Sequence, residues 1–309
     1  MKSHTRSLKK NIKVVNREDG KIFSERVYGE TAMKIFYGSK LGAKLTDIFL
    51  TNRILSKLYG FYNDSFLSKR KIPDFISKLK INTHEILKEK SDFQSFNDFF
   101  ARKLKTKDRP IDKNTDSFIS PSDGRLLVFE NIKKETISYV KWSPIKLFDL
   151  FNNNKELAHR YKDGSCGILR LCPSDYHRFH FPISGKALKT HHIKGLLHSV
   201  SPYALERNIP VFCLNKRTLC DVETENYGKV LLMEVGAMFV GSIVQTYKTQ
   251  SFVNKGDEKG YFKFGGSTCI FFTEKSVLKF DDDLVENSKR GLETLVKFGT
   301  KIGQLKKKK

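Results

Sequence analysis

Residues 255–272 read KGDEKGYFKFGGSTCIFF, and the β-rich character of the chain is clearest here. Aromatic residues precede the centre of this stretch, Gly265-Gly266-Ser267-Thr268, and the apolar run 269–272 follows it. Aromatic and β-branched residues favour strands, so a strand is predicted on each side of the glycine pair. Glycines inside such a pattern mark a bulge or a close approach of the backbone. Because Gly266 has no Cβ, one face of its carbonyl is open to the hydroxyl of Ser267.

The composition is typical of a globular protein with a large excess of positive charge. The chain has 309 residues, 39% of them hydrophobic, which is enough for one large domain or two ordinary ones. Its formal net charge of +23 indicates an anionic partner, either nucleic acid or the surface of an anionic membrane. No apolar run is long enough to span a bilayer, and the basic N-terminus lacks the apolar core of a cleaved signal. The five cysteines form no CxxC pair, which predicts reduced thiols and a cytoplasmic protein that can lie on a membrane.

The pattern of the chain changes near residue 112. Residues 1–112 are basic and mostly helical in pattern, whereas residues 113–309 contain short β-rich segments that alternate with turn residues. Strands in series without intervening helices predict an antiparallel core rather than βαβ units. The predicted class is α+β, an N-terminal helical region followed by a mainly antiparallel β core. Helices are predicted over residues 31–58, 74–80, 82–90, 96–104 and 144–151, and strands over 117–120, 125–130, 136–141, 167–171, 185–191, 211–214, 229–235, 238–248 and 260–280.

The helix predicted over residues 31–58 is unusually basic. Asp47 is its only acid, and lysines such as Lys40, Lys44 and Lys57 lie between apolar positions that recur at steps of three and four. Such a helix can lie in a membrane interface with its apolar face down. It can equally pack on the domain core, as most amphipathic helices do, and the pattern leaves both interpretations open.

Two other stretches place polar groups where loops are expected. The sequence SPSDG at 120–124 is a turn by composition, and an aspartate in such a turn commonly caps its own backbone. The sequence YHRFHFP at 176–182 places His177 and His180 three residues apart. Histidines at this spacing can bind a metal on a helix, but Pro182 and the aromatic residues favour a loop or extended segment. No HExxH motif or cysteine pair completes a ligand set, so a metal site is the less favoured alternative.

Asp123, one of the two histidines (His180 or His177) and Ser267 together offer the groups of an activated serine. A serine hydroxyl becomes a good nucleophile when a base takes its proton, and the base works best when a carboxylate orients it. A hydrolase usually presents its serine on a GxSxG elbow, whereas Ser267 lies in an apolar run behind two glycines. This setting favours attack on the carbonyl of Gly266 over attack on an external ester. Spacing along the sequence leaves open whether the three groups meet in space.

Several motifs occur in a fixed order along the chain. They are FNDFF at 96–100 with Arg102, Leu104 and Arg109-Pro110-Ile111; SPSDG at 120–124; YHRFHFP at 176–182; VGA at 235–237 with VGS at 240–242; and KGDEKGYF at 255–262, which runs into Gly266-Ser267-Thr268. With these motifs the chain resembles the phosphatidylserine decarboxylases, a self-processing, pyruvoyl-dependent family. Gly265 departs from the commonest family form, which has leucine there, whereas the Gly266-Ser267 pair is intact.

The resemblance implies that the chain cleaves itself. Ser267 would attack the carbonyl of Gly266, and cleavage between these two residues would leave a pyruvoyl group, made from Ser267, at the start of residues 267–309. By the same resemblance, Asp123 and His180 drive this step, so that His180 is the base for self-cleavage. No external cofactor or metal is then expected.

The resemblance also implies the reaction of the cleaved enzyme. The pyruvoyl group acts as the electron sink as carbon dioxide leaves phosphatidylserine, and the product is phosphatidylethanolamine. His177 would assist the decarboxylation or the reprotonation of the substrate carbon. The fold implied by the family, helices followed by a mainly β core, agrees with the class predicted from the pattern.

The partners implied are phosphatidylserine in an anionic membrane and a heterodimer of the two cleavage products, residues 1–266 and 267–309, with a higher oligomer left open. The expected location is the cytoplasmic face of the cell membrane, as a peripheral protein. Two other function classes remain, a serine hydrolase that uses Asp, His and Ser, and a basic nucleic-acid-binding protein. No zinc-finger spacing or RNP-like aromatic motif supports the second. Neither rival predicts cleavage at one internal Gly-Ser bond.

Overall fold

A large, mainly antiparallel β-sheet forms the centre of the molecule in the computed structural model. The structure describes residues 13–25, 53–133, 136–137, 144–200, 205, 210–237, 242–265 and 267–308. Most of the basic helix predicted over residues 31–58 therefore lies outside the described residues, as does Gly266.

The described residues contain seven α-helices and nineteen strands. The helices are α1 (Arg53–Asp64), α2 (Ile72–Leu79), α3 (Phe96–Phe100), α4 (Leu147–Leu150), α5 (Lys155–Arg160), α6 (Val211–Leu214) and α7 (Asp282–Lys289). The strands are β1 (Lys13–Asn16), β2 (Ile22–Ser24), β3 (Ser117–Ile119), β4 (Gly124–Phe129), β5 (Thr136–Ile137), β6 (Ile145–Lys146), β7 (Ser165–Leu171), β8 (Arg178–His180), β9 (Gly185–Ala187), β10 (His191–Ile193), β11 (Arg217–Glu223), β12 (Lys229–Gly236), β13 (Ile243–Gln245), β14 (Ser251–Val253), β15 (Glu258–Phe262), β16 (Ser267–Thr273), β17 (Leu278–Phe280), β18 (Glu293–Val296) and β19 (Lys301–Leu305). Short 3-10 helices lie at Phe66–Lys71, Thr83–Glu85, Lys90–Asp92 and Thr106–Asp108.

Eleven of the described strands form the large sheet, in the order β14-β9-β11-β12-β16-β7-β4-β18-β1-β2, with β10 also paired to β11. Neighbouring strands are antiparallel except for the parallel pair β1 and β18. Smaller sheets have the orders β13-β15-β8, β17-β19-β3 and β5-β6. The α+β class with a mainly antiparallel core is therefore confirmed.

Strand β16 lies in the middle of the large sheet, between β12 and β7. All seven of its residues are buried. Cys269 and Phe271 face one core cluster, and the residue after each of them faces the cluster on the other side of the sheet. An unbroken apolar run is what a strand covered on both faces requires. Gly167 pairs with Phe271, and a Cβ on this glycine would lie 2.1 Å from the phenylalanine ring, so glycine makes room for it.

The helical part of the chain packs against the segment that precedes Ser267. Ser95 caps α3 by accepting a hydrogen bond from the third residue of the helix. The rings of Phe96 and Phe100 lie 4.9 and 5.1 Å from that of Phe264, and all three are buried in one aromatic cluster. The helix thereby fixes the path of the chain into β16.

The first strands connect the N-terminal region to the β core. β1 pairs with β18, and Glu25, just after β2, reaches two buried arginines, Arg170 at 2.6 Å and Arg125 at 3.6 Å. Burial raises the pKa of Glu25, but the attraction of the two arginines outweighs it and lowers the pKa to about 2. Residues 13–24 thus belong to the large sheet, and the division of the chain near residue 112 stays a prediction.

Several predicted elements differ from the structure, and three of them differ most. The strand over 211–214 is wrong, because these residues form α6, which begins directly after Pro210. The helix over 82–90 is also wrong: Asn82 caps the turn, but only a 3-10 turn forms, because Ile86 pairs with Leu104 in a β-bridge. The same bridge ends the helix predicted over 96–104 at Phe100.

Candidate active site

Ser267 begins strand β16, and its hydroxyl contacts the imidazole of His177. The Ser267 Oγ lies 3.1 Å from Nδ1 of the ring, and Nε2 lies 2.9 Å from the carbonyl oxygen of Cys172. A carbonyl only accepts, so Nε2 carries the ring proton and Nδ1 accepts the hydrogen bond from the serine hydroxyl. The pair has the geometry of a nucleophile and its base.

Both the backbone and the ring of His177 are held in this position. Its carbonyl oxygen accepts a hydrogen bond from the backbone nitrogen of Phe262 at 2.9 Å. The ring of Phe100 stacks on the imidazole, with 3.9 Å between centroids and 29° between planes. Both His177 and Ser267 have an exposed fraction of 0%. The base and the nucleophile are therefore oriented by packing and shielded from solvent.

Burial lowers the pKa of His177 to about 3, because a charged imidazolium would be stripped of water. The hydrogen bond to Cys172 raises the pKa, whereas the positive charges of Arg102 and Arg125 lower it. The ring is therefore neutral near pH 7, which is the form that can take a proton from Ser267.

His180 lies in β8, and its two ring nitrogens bond to other groups. Nδ1 lies 3.0 Å from the carbonyl oxygen of Gly256, and Nε2 lies 3.0 Å from the hydroxyl of Tyr176. The carbonyl only accepts, so Nδ1 donates to it and Nε2 accepts from the tyrosine hydroxyl. Burial lowers the pKa of His180 to about 4. The structure thus separates the two histidines, because His177 faces Ser267 and His180 faces Tyr176 and Gly256.

Asp123 forms a two-bonded ion pair with Arg109. The distances are 3.0 Å from Nε to Oδ1 and 2.7 Å from Nη2 to Oδ2. The Asp123 Oδ1 also accepts from the backbone nitrogen of Phe298 at 2.8 Å, and the ring of Phe298 stacks on His180 with 3.8 Å between centroids. Asp123 is therefore linked to His180 through Phe298. Among the described residues, Asp123 makes no hydrogen bond to the imidazole of His180.

The four predicted site residues thus lie in two linked groups, Ser267 with His177 and Asp123 with His180. No pattern in the sequence predicted that Phe100, Tyr176 or Phe298 would contact the site histidines. Phe100 lies within the FNDFF motif and Tyr176 directly precedes His177, so the motifs contain both residues. Phe298 lies in none of the motifs. Among the described residues, no cluster of three or more His, Cys, Asp or Glu side chains could hold a metal ion.

A family model described as phosphatidylserine decarboxylase matches residues 96–304 of this chain, which span both groups of the site. The chain belongs to the phosphatidylserine decarboxylase family. The membership makes it a carboxy-lyase, and it confirms the resemblance drawn from the motifs.

Close relatives carry the name phosphatidylserine decarboxylase proenzyme. One from Clostridium botulinum strain Eklund 17B is 49% identical over 292 residues, which cover 94% of this chain and 98% of the relative. One from Clostridium botulinum strain Langeland is 46% identical over 295 residues, covering 96% and 100%. One from Clostridium kluyveri is 46% identical over 292 residues, covering 94% and 98%. The match to these decarboxylase proenzymes therefore extends over nearly the whole chain.

Gly265 precedes the site in a backbone conformation that suits glycine. Its φ is 145°, a region that residues with a Cβ rarely adopt. The chain therefore approaches Ser267 along a path that the glycine permits.

The buried histidines predict a loss of stability in mild acid. Both His177 and His180 have a folded-state pKa, about 3 and about 4, below the usual value of about 6.5. The unfolded chain therefore binds protons that the folded chain does not, so the free energy of unfolding falls as the pH drops below about 6.5. The expected slope is about 1.4 kcal/mol per pH unit for each histidine.

Urea unfolding of the Ser267→Ala chain between pH 7.5 and 5 measures this slope on a single polypeptide. We expect His180→Gln to remove one histidine's share of the slope. His84→Gln, at an exposed histidine, is the matched control and should leave it unchanged. An unfolding free energy that stays constant from pH 7 to 5 would contradict the assignment of neutral, buried rings.

Proposed function

We propose that this chain is a phosphatidylserine decarboxylase that matures by cleaving its own Gly266–Ser267 bond and works through a pyruvoyl group made from Ser267. The observation that carries the proposal is the hydrogen bond from the hydroxyl of Ser267 to Nδ1 of His177, at the first residue of a buried strand. The proenzyme names of the relatives support a chain that is processed after synthesis.

Maturation requires the removal of two protons from Ser267. In the first step, Oγ gives up its proton and attacks the carbonyl carbon of Gly266. The peptide C–N bond breaks as the nitrogen of Ser267 takes up a proton, and an ester joins the two halves. In the second step, loss of the α-proton breaks the ester, releases the carboxylate of Gly266 and leaves dehydroalanine. Water then converts dehydroalanine to the pyruvoyl group, and ammonia leaves. His177, neutral and 3.1 Å from Oγ, is placed to accept the first proton.

The site fits a group made in place, because the side chain that forms it already faces a neutral imidazole. When present, the pyruvoyl group supplies the electron sink that decarboxylation needs. His177 faces residue 267 and is placed to move a proton to or from the substrate carbon. Phe100 covers the imidazole and excludes water from it. Asp123 with His180, which the family resemblance links to self-cleavage, supports the segment that carries His177.

The direct test is the product formed from phosphatidylserine in mixed micelles. We expect carbon dioxide and phosphatidylethanolamine in equal amounts. A serine hydrolase would instead release a fatty acid or part of the headgroup, without carbon dioxide. Ser267 begins a buried strand and does not lie on the sharp turn on which a hydrolase usually presents its serine, which disfavours the hydrolase.

We propose that the two cleavage products, residues 1–266 and 267–309, remain together as a heterodimer. β16 pairs with β12 and β7 along its whole length, and β18 and β19 pair with β4 and β3. Every strand of the smaller product thus lies in contact with the larger one or within its own β17–β19 pair. Cutting the bond before Ser267 leaves these hydrogen bonds in place.

We also propose that the protein is peripheral on the cytoplasmic face of the cell membrane, and that an apolar patch on and after α1 contacts the lipid. The patch consists of Leu58, Phe61, Phe66 and Leu67, which are 61%, 76%, 69% and 67% exposed. Lys69 lies 5.6 Å from the ring centroid of Phe66. Exposed apolar side chains beside cations suit an anionic membrane interface. Within the described ranges, no helix is long and apolar enough to cross a membrane.

Replacing Phe61 and Phe66 together by serine is expected to lower binding to vesicles that contain phosphatidylserine by at least about tenfold, because each buried phenylalanine contributes about 1.5–3 kcal/mol. Sedimentation with vesicles measures the loss, and self-cleavage should be unchanged. Phe252→Ser is the matched control, since Phe252 is 69% exposed but lies on β14. Binding should also weaken between 0.1 and 1 M salt, where the Debye length shrinks from about 10 to about 3 Å. Equal sedimentation of the double variant and the unchanged protein would contradict this surface.

A further inference from the structure

Arg102 is buried beside the site, and only one of its three guanidinium nitrogens hydrogen-bonds within the described part of the chain. Its exposed fraction is 4%. Nη2 donates to the carbonyl oxygens of Ser174 at 2.7 Å and Asp175 at 2.9 Å. Nε and Nη1 are buried and have no hydrogen-bond partner there. A charged donor that is buried without an acceptor destabilises the fold, so these two nitrogens, which we call the open edge of the guanidinium, require an explanation.

The neighbouring carboxylates are already paired with other arginines. Asp123 bonds to Arg109, and Asp175 bonds to Arg125. Burial lowers the pKa of Arg102 to about 10, with Asp123 and Asp175 acting in the opposite direction, so the group is still a cation at neutral pH. Arg102 is therefore a buried positive charge with two donor nitrogens, Nε and Nη1, that are free among the described residues. Because Cδ lies between the Nε–H and Nη1, each of the two can bind one anionic oxygen, and they do not form a fork.

Arg102 is connected to the reacting residues by two routes. Its carbonyl partners lie in the loop from Cys172 to His177, and the carbonyl of Cys172 holds the imidazole that faces Ser267. It also follows α3 directly, and Phe100 of this helix stacks on His177. The guanidinium is also close enough to His177 for its positive charge to lower the pKa of that imidazole.

We infer that the open edge of Arg102 binds an anionic oxygen group, a carboxylate or a phosphate, in the mature site. The inference rests on the proposed function, because that function supplies both anions that can reach the edge. One is the carboxylate that self-cleavage releases at Gly266. The other is the phosphate or carboxylate of the phospholipid headgroup.

The carboxylate of Gly266 is the favoured source. The backbone nitrogen of Phe264 donates to Oδ1 of Asn97 at 2.9 Å, so α3 holds the chain two residues before the cut. Two residues span at most about 7 Å, so the new C-terminus remains within about 7 Å of the Phe264 backbone that α3 holds. A carboxylate formed in a site closed to water needs a cationic partner. Its negative charge appears as the ester breaks, so Arg102 also favours the forward direction of that step.

A double-mutant cycle separates this role from a merely structural one. Arg102→Gln is made in the cleaving protein and in Ser267→Ala, where no carboxylate is released, and the melting temperature is measured for all four proteins. The bonds to Ser174 and Asp175 are lost in both backgrounds and cancel. We expect the melting temperature to fall by roughly 3–6 °C more in the cleaved protein, as the loss of charge-assisted hydrogen bonds predicts. Arg102→Lys, which keeps the charge but has a single donor nitrogen, should recover part of the difference.

The kinetics of the cleaved Arg102→Gln protein identify the source of the anion. If the melting temperature falls further in the cleaved protein than in the Ser267→Ala background, and the KM for phosphatidylserine is unchanged, the open edge binds the carboxylate of Gly266. A KM raised at least tenfold, without the extra loss, assigns it to the phospholipid headgroup. Equal melting shifts in both backgrounds together with an unchanged KM would overturn the inference. The unchanged protein is the separate control, because its failure to cleave or to release carbon dioxide would refute the proposed function and not the role of Arg102 alone.

Discussion

Ser267→Ala is expected to give a single uncleaved chain that releases no carbon dioxide from phosphatidylserine. Without Oγ there is no nucleophile to attack Gly266 and no oxygen to become the ester, so the ketone is never made. Removing the hydroxyl leaves the rest of β16 unchanged, and the variant should fold. Gel electrophoresis beside a carbon dioxide release assay measures both effects.

Thr273→Ala is the matched control for this variant. Thr273 lies at the other end of the same buried strand, and its hydroxyl has no hydrogen-bond partner among the described residues. Its replacement should leave cleavage and decarboxylation intact. Carbon dioxide release by an uncleaved Ser267→Ala chain would show that the reaction does not depend on a group made from Ser267.

His177→Ala is expected to lower the rate of decarboxylation by roughly 10²- to 10⁴-fold, the usual contribution of a positioned acid or base. Its ring is the group that faces residue 267, both as a serine and as the group derived from it. Maturation should slow as well, but it needs only one turnover for each chain, so we expect cleavage to reach completion over hours. The decarboxylation assay, with its many turnovers, reports the full defect.

His180→Ala is the partner experiment, because the family resemblance assigns self-cleavage to His180 with Asp123. We expect this variant to accumulate uncleaved chain as well, because Asp123 and His180 support the segment that holds His177 against Ser267. Cleavage of His180→Ala at the normal rate would contradict the part of Asp123 and His180 in maturation. Decarboxylation at the full rate by mature His177→Ala would contradict the role of this ring in the site.

Strands with a clear apolar run could be predicted from the sequence, even where one buried charge interrupts the run, as Arg170 does in β7 and Glu234 in β12. β11 and β18 were not predicted. β16 shows an apolar run because both of its faces are covered. β18 contains Glu293, which is buried against Arg170 at 2.5 Å, and β11 contains Arg217, which donates to the carbonyl of Leu150 at 2.8 Å. Ion pairs and carbonyl contacts formed by distant residues make these charges tolerable in the core, and hydrophobic pattern alone contains no sign of them.

The members of the site could be named from motifs, but their contacts depend on distant pairing. His177 and His180 differ in partner because β8 pairs with β15 across an irregular register between Glu258 and Gly260, about eighty residues away along the chain. The sequence therefore identified both histidines and left open which one meets Ser267. Arg102 lay within a quoted motif, yet its open edge became visible only when its neighbours' partners were known.

The intact mass of the purified, active protein tests the central claim most directly. We predict two polypeptides, residues 1–266 and 267–309, with the second lighter by one ammonia than a hydrolysed chain that begins with serine. This mass difference is the signature of a pyruvoyl group in place of an amino terminus. A single uncleaved chain in protein that releases carbon dioxide, or a second polypeptide with a free serine amine, would contradict the account.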